Sequence, residues 1–255
     1  MHFPYKIYIA NTPVLLHGIF EFLAIFIAYR YYLWLKKKRG DTVKKENRVF
    51  VVVGAALGAV IVSRIVGALE NLPAWLASGN PWFYFLGNKT LVGGLIGGLA
   101  GVETVKKILG EKQNTGDLFT FPLILGMIIG RIGCFSAGVY EETYGVPSRL
   151  PWALDLGDGI PRHPVTLYEI LFLVLLWIAI FRMDKYYVMQ PGAMFKVFLI
   201  SYLLFRFSLD FIKPGLRYFL GLGTIQLVCI GGLLYYARYI FHPRSLIISK
   251  RSYAG

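Results

Sequence analysis

Charge is scarce in this chain. Of its 255 residues only 16% are Asp, Glu, Lys or Arg and 56% are hydrophobic, whereas a soluble domain carries about a quarter charged residues. The mean hydropathy of +0.57 points the same way, and an ordinary water-soluble enzyme is excluded. Cysteine is nearly absent. Cys134 and Cys229 are the only two, both within or at the edge of apolar segments, so buried thiols are expected rather than a disulfide framework. The opening stretch MHFPYKIYIANTP has no basic n-region and no small-residue cleavage site follows it, so no cleavable signal is expected. Repeats of solenoid length and low-complexity tracts are also missing.

What the chain has instead is long apolar runs. A helix that crosses a bilayer needs roughly 20 mostly apolar residues, and seven segments qualify, at about 14–35, 49–69, 91–109, 118–135, 165–182, 193–212 and 223–241. The expectation is an all-α polytopic membrane protein, one integral membrane domain over residues 1–255.

The net charge of +13 would suit nucleic acid, but its placement suits a membrane. Residues 36–48, KKKRGDTVKKENR, hold seven Lys/Arg, and Arg238, Arg244, Lys250 and Arg251 lie in the tail. With these and the 106–115 and 182–192 connections inside, sixteen Lys/Arg face the cytoplasm and six (Lys6, Lys89, Arg149, Arg162, Lys213, Arg217) face out. Basic residues concentrate on the cytoplasmic side, which predicts the N-terminus out and the C-terminus in. Two outward loops are then long. Residues 70–90 are rich in Trp, Phe and Tyr and read as an aromatic interfacial belt with a short surface helix. Residues 136–164 mix acids, aromatics and glycine.

Ionised groups inside hydrocarbon cost several kcal/mol and are functional candidates by default. They are His17, Glu21 and Arg30 on the first segment, Arg64 on the second, Arg131 on the fourth, Glu169 on the fifth, and Arg206 with Asp210 on the sixth. Arg30, near the inner end, can snorkel to the headgroups. Arg206 and Asp210, like His17 and Glu21, are four apart and can meet on one helix face. These pairs could be structural pins. Yet the predicted topology puts His17, Glu21, Arg131, His163, Glu169 and Arg206 all in the outer half, as a shared polar cavity requires. Guanidinium forks suit a phosphate, so the residues predict an outward-facing site for an anionic phospholipid. The glycine run LVGGLIGGLAG, with Gly93 and Gly94, permits tight helix packing or close approach of a ligand.

GRIGCF (130–135), RHPVTLYE (162–169), SYLLFRFSLDFIK (201–213) and LVGGLIGG (91–98) together resemble the prolipoprotein diacylglyceryl transferase family in order and spacing, over nearly the whole chain. The resemblance implies a seven-helix enzyme of the bacterial inner membrane whose active site faces the exterior. It would move the diacylglyceryl group of phosphatidylglycerol to the lipobox cysteine of a lipoprotein precursor, releasing glycerol-1-phosphate, with no metal or organic cofactor. Arg131 and Arg206 would be essential and bind the phosphate, and Asp210, in place of a glutamate, would orient Arg206. Gly93, Gly94, Gly130, Gly133, Cys134, His163, Tyr168, Glu169, Glu21 and Lys213 would line the substrate site, with Tyr168 and Glu169 at its mouth.

The chain departs from the family pattern elsewhere too: Val92 stands where a histidine is usual, Cys134 replaces an asparagine, His17 replaces a tyrosine, Lys213 replaces an arginine, and the loop after GRIG is longer, with Glu141 and Glu142. His17 is a candidate substitute base or a solvated helix-start residue. Cys134 is a candidate nucleophile or a small buried hydrophobe. Two alternatives share the same pocket: a transferase with a different acceptor, and a non-catalytic protein that binds or translocates phospholipid.

Overall fold

The computed structural model describes residues 3–9 and 12–250. Arg251 of the basic tail, and residues 1–2 and 10–11 of the opening stretch, lie outside the described residues.

Helices occupy all seven expected segments. They are α1 (Leu16–Arg39), α2 (Lys45–Glu70), α5 (Leu91–Leu109), α6 (Asp117–Ala137), α7 (Val165–Tyr186), α8 (Ala193–Leu209) and the broken pair α9 (Thr224–Tyr235) and α10 (Ala237–Phe241). Two short helices, α3 (Leu72–Ala77) and α4 (Pro81–Gly87), fill the aromatic loop. Four of these helices (α1, α2, α6 with the turn after it, α7) are individually long and apolar enough to cross a membrane, and a fifth crossing is possible where α4 and α5 join at an 86° bend. The protein is thus an all-α membrane protein.

Local chemistry sets the helix limits. Cations at Lys36, Lys37, Lys38 and Arg39 crowd the last turn of α1, where the negative end of the helix dipole favours them. Thr90 caps α5 by accepting from the Gly93 amide at 3.2 Å. The Asp117 carboxylate, from α6, accepts from the Gly192 and Phe195 amides at 2.6 and 3.2 Å. It thereby satisfies donors that the start of α8 leaves open.

Packing follows from side-chain size. Helix α2 lies against α5 through facing glycines, and a Cβ on Gly97 would collide with the Gly58 carbonyl. Helix α1 lies against α6, and α6, α7, α8 and α9 follow one another around the bundle. The apolar core, including Val92, Ile124, Leu173, Phe198, Leu199, Tyr202 and Leu203, sits between them. Outward faces stay greasy: Phe22, Ile25, Phe26 and Tyr29 on α1 are exposed, as suits a lipid solvent.

Hydropathy did not reveal three small antiparallel ribbons. These are β1–β2 (Lys6–Ile9 with Thr12–Leu15), β3–β4 (Leu154–Asp155 with Pro161–Arg162) and β5–β6 (Tyr187–Met189 with Ile247–Lys250). Strands of two to four residues carry too little alternation to be read. The second ribbon gives the 136–164 loop its shape, and this loop closes over the end of the bundle where the candidate residues gather.

Candidate functional site

Helices α6, α7 and α8 each deliver one ionic side chain to the same buried place. Arg131 Nε lies 2.8 Å from Glu169 Oε1. Glu169 also accepts a hydrogen bond from the Tyr202 hydroxyl at 2.8 Å. Arg206, one turn beyond Tyr202 on α8, acts on both Glu169 and Tyr202, as does Arg131. The sequence expectation that Arg131, Glu169 and Arg206 share one environment is therefore met by the geometry. Glu169, expected at the mouth, instead lies deep, with 3% of its surface exposed. It is the counter-ion of Arg131, because an unpaired buried guanidinium would be prohibitively costly.

Arg206 is only 4% exposed. Its expected partner is present but loose: Nη2 is 3.6 Å from Asp210 Oδ1, too far for a hydrogen bond. Nη1 has no partner among the described residues. Asp210 is held more firmly from elsewhere, by Arg217, whose Nη1 donates to Oδ2 at 3.0 Å and whose Nη2 donates to the Asp210 carbonyl at 2.6 Å. Arg217 also donates to Gln226 Oε1 at 2.8 Å. Thus Asp210 is oriented chiefly by Arg217, and Arg206 keeps a guanidinium edge unused.

Lys213, half-buried beyond the end of α8, adds a further cation. Burial, and then the Arg206 guanidinium beside it, push its ammonium down to about 8. Glu70 at the end of α2 partly offsets this. Four cations (Arg131, Arg206, Arg217, Lys213) therefore face three carboxylates (Glu169, Asp210, Glu70). The surplus is positive. Such a site can accept an anion on the free edge of Arg206, where fork-shaped donors match paired oxygens.

A second cluster adjoins the first across Cys134. The Cys134 thiol accepts from Arg131 Nη1 at 3.6 Å and abuts the His17 imidazole. His17 Nε2 is 3.4 Å from Glu141 Oε1 and 3.8 Å from Glu21 Oε2. Glu21 is also ion-paired with Lys89. Both cysteines are free thiols, as expected, and Cys229 is buried. Cys134 is half-buried between an imidazole and a guanidinium, not in a purely apolar setting. A narrow crevice with no room for a ligand also touches Cys134, bounded by Phe135, Thr143, Tyr144 and Leu156.

The remaining candidates lie as follows. Gly93 does not open the helix to a ligand, because a Cβ there would meet the Thr90 hydroxyl at 2.6 Å and the Val62 carbonyl at 2.8 Å. Its role is the α2–α5 contact. Gly133 likewise seats α6 against α1, beside Phe20 and the His17 carbonyl. Gly94 meets only Ser63 Cβ, at 3.9 Å, and Gly130 has open space around it, so these two leave room beside their helices. His163 and Tyr168 face each other, with Nδ1 3.3 Å from the hydroxyl, and Trp152 Nε1 donates to the same hydroxyl at 2.8 Å. Neither bond reaches the arginines; the trio ties the 136–164 loop to the start of α7. Arg64 donates to the Asn88 carbonyl, and Arg30 is exposed. Val92 is wholly buried in the apolar core.

Tyr202, Arg217, Gln226 and Glu70 went unrecognised in the sequence. Tyr202 and Gln226 sit inside apolar runs, and Arg217 reads as an ordinary loop cation. Only the spacing of Gln226 three residues after Gly223, a helix-start signature, hinted at its capping bond to the Gly223 amide at 2.9 Å.

Fold and site together define an all-α membrane protein with a buried arginine–carboxylate centre of net positive charge. The family model for prolipoprotein diacylglyceryl transferase matches residues 4–241, and the chain belongs to that family. A phosphatidylglycerol–prolipoprotein diacylglyceryl transferase of Bordetella parapertussis is 35% identical over 181 residues, covering 66% of this chain and 64% of the relative. Proteins of the same name from Zymomonas mobilis and Methylococcus capsulatus are 30% and 32% identical, covering 79% and 72% of this chain and 71% and 70% of theirs. The chain spans a little under two thirds of the length of the first of these relatives.

Proposed function

We propose that this protein is a bacterial inner-membrane transferase that moves the diacylglyceryl group of phosphatidylglycerol to the lipobox cysteine of a lipoprotein precursor. In this reading all seven helical segments cross the membrane. The N-terminus lies outside, and the arginine centre faces the exterior beneath the 70–90 and 136–164 loops. The observation that carries it is the free edge of Arg206. A buried polar group without a partner costs about 1–3 kcal/mol, more when charged, and a ligand oxygen would remove that cost.

The chemistry follows from charge development. As the carbon–oxygen bond to glycerol phosphate breaks, negative charge grows on the leaving phosphate. Arg131, fixed beforehand by Glu169, and Arg206, buried with a free nitrogen, stabilise that charge more in the transition state than in the bound lipid. Lys213 adds a point charge to the same anion. The acceptor sulfur attacks as thiolate, so a base must take its proton, and His17 adjoins the arginine centre through Cys134.

The test is direct. Purified protein in phosphatidylglycerol nanodiscs receives a lipobox peptide, and thioether product and released glycerol phosphate are measured. Product that disappears in Arg206→Ala is the expected result. Lipid binding with no turnover, whatever thiol is offered, would contradict the enzyme reading.

A further inference from the structure

The His17 imidazole faces carboxylates on one side and the Cys134 thiol on the other. Nε2 points toward Glu141 at 3.4 Å. Glu21, on the same helix, is farther at 3.8 Å, and Lys89 already engages it. Glu141 is thus the carboxylate best placed to accept from Nε2–H. Nδ1, on the inner edge, is buried and has no hydrogen-bond partner among the described residues. The ring also meets the Cys134 thiol, whose sulfur is 3.6 Å from Arg131 Nη1. The groups that face His17 are therefore Glu21 from α1, Cys134 and, through it, Arg131 from α6, Glu141 from the loop, and Lys89 through Glu21.

A carboxylate on one ring nitrogen fixes the tautomer and leaves the lone pair on the other. Such contacts are often long before substrate binds and tighten afterwards. We infer that Glu141 is a positioning residue: it holds His17 in the Nε2–H tautomer, so that Nδ1 takes the proton of the acceptor thiol beside Arg131. The inference rests on the transferase reading above. In the step itself the acceptor S–H gives its proton to Nδ1 and the sulfur forms a bond to the glyceryl carbon. The carbon–oxygen bond to phosphate breaks, and glycerol phosphate leaves with the electron pair. Glu141 then faces an imidazolium and stabilises it. The chain thereby supplies a base from α1 where position 92 offers only a buried valine.

The experiment is a double-mutant cycle with pH–rate profiles, on the full chain in phosphatidylglycerol nanodiscs with a lipobox peptide. Glu141→Gln should lower kcat about tenfold, a share of the ~10²–10⁴-fold that a positioned base supplies. It should leave the KM for lipid unchanged and move the acid limb of the profile to lower pH, because the imidazolium loses its counter-charge. Glu141→Asp should restore part of the rate. His17→Gln combined with Glu141→Gln should be no slower than His17→Gln alone, since Glu141 acts only through His17. Active protein whose acid limb stays put in Glu141→Gln, or losses that simply add, would overturn the inference and leave the transferase reading standing. Wild-type protein that forms no thioether would overturn both.

Discussion

Two buried arginines, at opposite ends of the bundle, are equally hidden and differently treated. Arg48, at the start of α2, is 3% exposed, and Arg206, near the end of α8, is 4% exposed. Arg48 is fully used. Its Nε donates to Asp41 Oδ2 at 2.8 Å, Nη2 pairs with the other Asp41 oxygen, and Nη1 reaches the Thr115 carbonyl at 3.4 Å. Lys36 completes the cluster at 3.2 Å from the same carboxylate. Arg206 has one loose ion pair and one nitrogen with no partner among the described residues. A satisfied buried arginine holds the fold. In the proposed reading an unsatisfied one is kept for a ligand.

That contrast can be broken by substitution. Arg48→Ala leaves Asp41 buried beside a lost partner and should cost about 3–5 kcal/mol of stability. Thermal unfolding in nanodiscs would report it, while the rate per folded molecule stays near wild type. Arg206→Ala should do the reverse, lowering kcat/KM by roughly 10²–10³, about 3–4 kcal/mol of transition-state stabilisation, with little change in unfolding. If both substitutions affected stability alike, the distinction between the two ends would be lost.

A smaller effect concerns pH. Lys213 titrates near 8; below that it is charged and adds to the anion grip, and above it the charge is gone. Affinity for phosphatidylglycerol should therefore fall by up to about tenfold as pH rises from roughly 7 to 9. Lys213→Arg, whose guanidinium stays charged, should flatten that limb. A wild-type KM that is flat across this range would show that Lys213 contributes nothing to the grip. The smallest expected change is in Tyr202→Phe. It removes one hydrogen bond to Glu169 and should cost about 1 kcal/mol, a severalfold loss of kcat/KM. A change as large as that of Arg206→Ala would mean that Tyr202 touches the reacting groups itself.

How much of this was legible beforehand depended on whether the signal was local. The seven helical segments could be read because each carries its own hydropathy, and α5 spans 91–109 as expected. The Arg206–Asp210 contact could be read because i,i+4 neighbours share a face. Arg131 and Glu169 could be named as costly intramembrane charges. That they pair with each other could not be read, since it depends on how α6 meets α7. Glu141 could be seen only as part of an unusually long loop, because an acid in a polar loop looks like solvated surface until the fold brings it to His17. Gly93 stayed open between packing and ligand approach for a related reason: a glycine that admits a ligand and one that admits a neighbouring helix are the same residue in sequence. Only the approach of α2 decides between them.

The account rests on Arg206 being free to hold a phosphate oxygen. Its most direct test compares wild type and Arg206→Ala in phosphatidylglycerol nanodiscs, measuring glycerol phosphate release and thermal unfolding on the same samples. The account predicts release reduced at least a hundredfold with the melting temperature unchanged to within about 3 °C. Release that persists, or that falls only as far as the folded fraction falls, would contradict it.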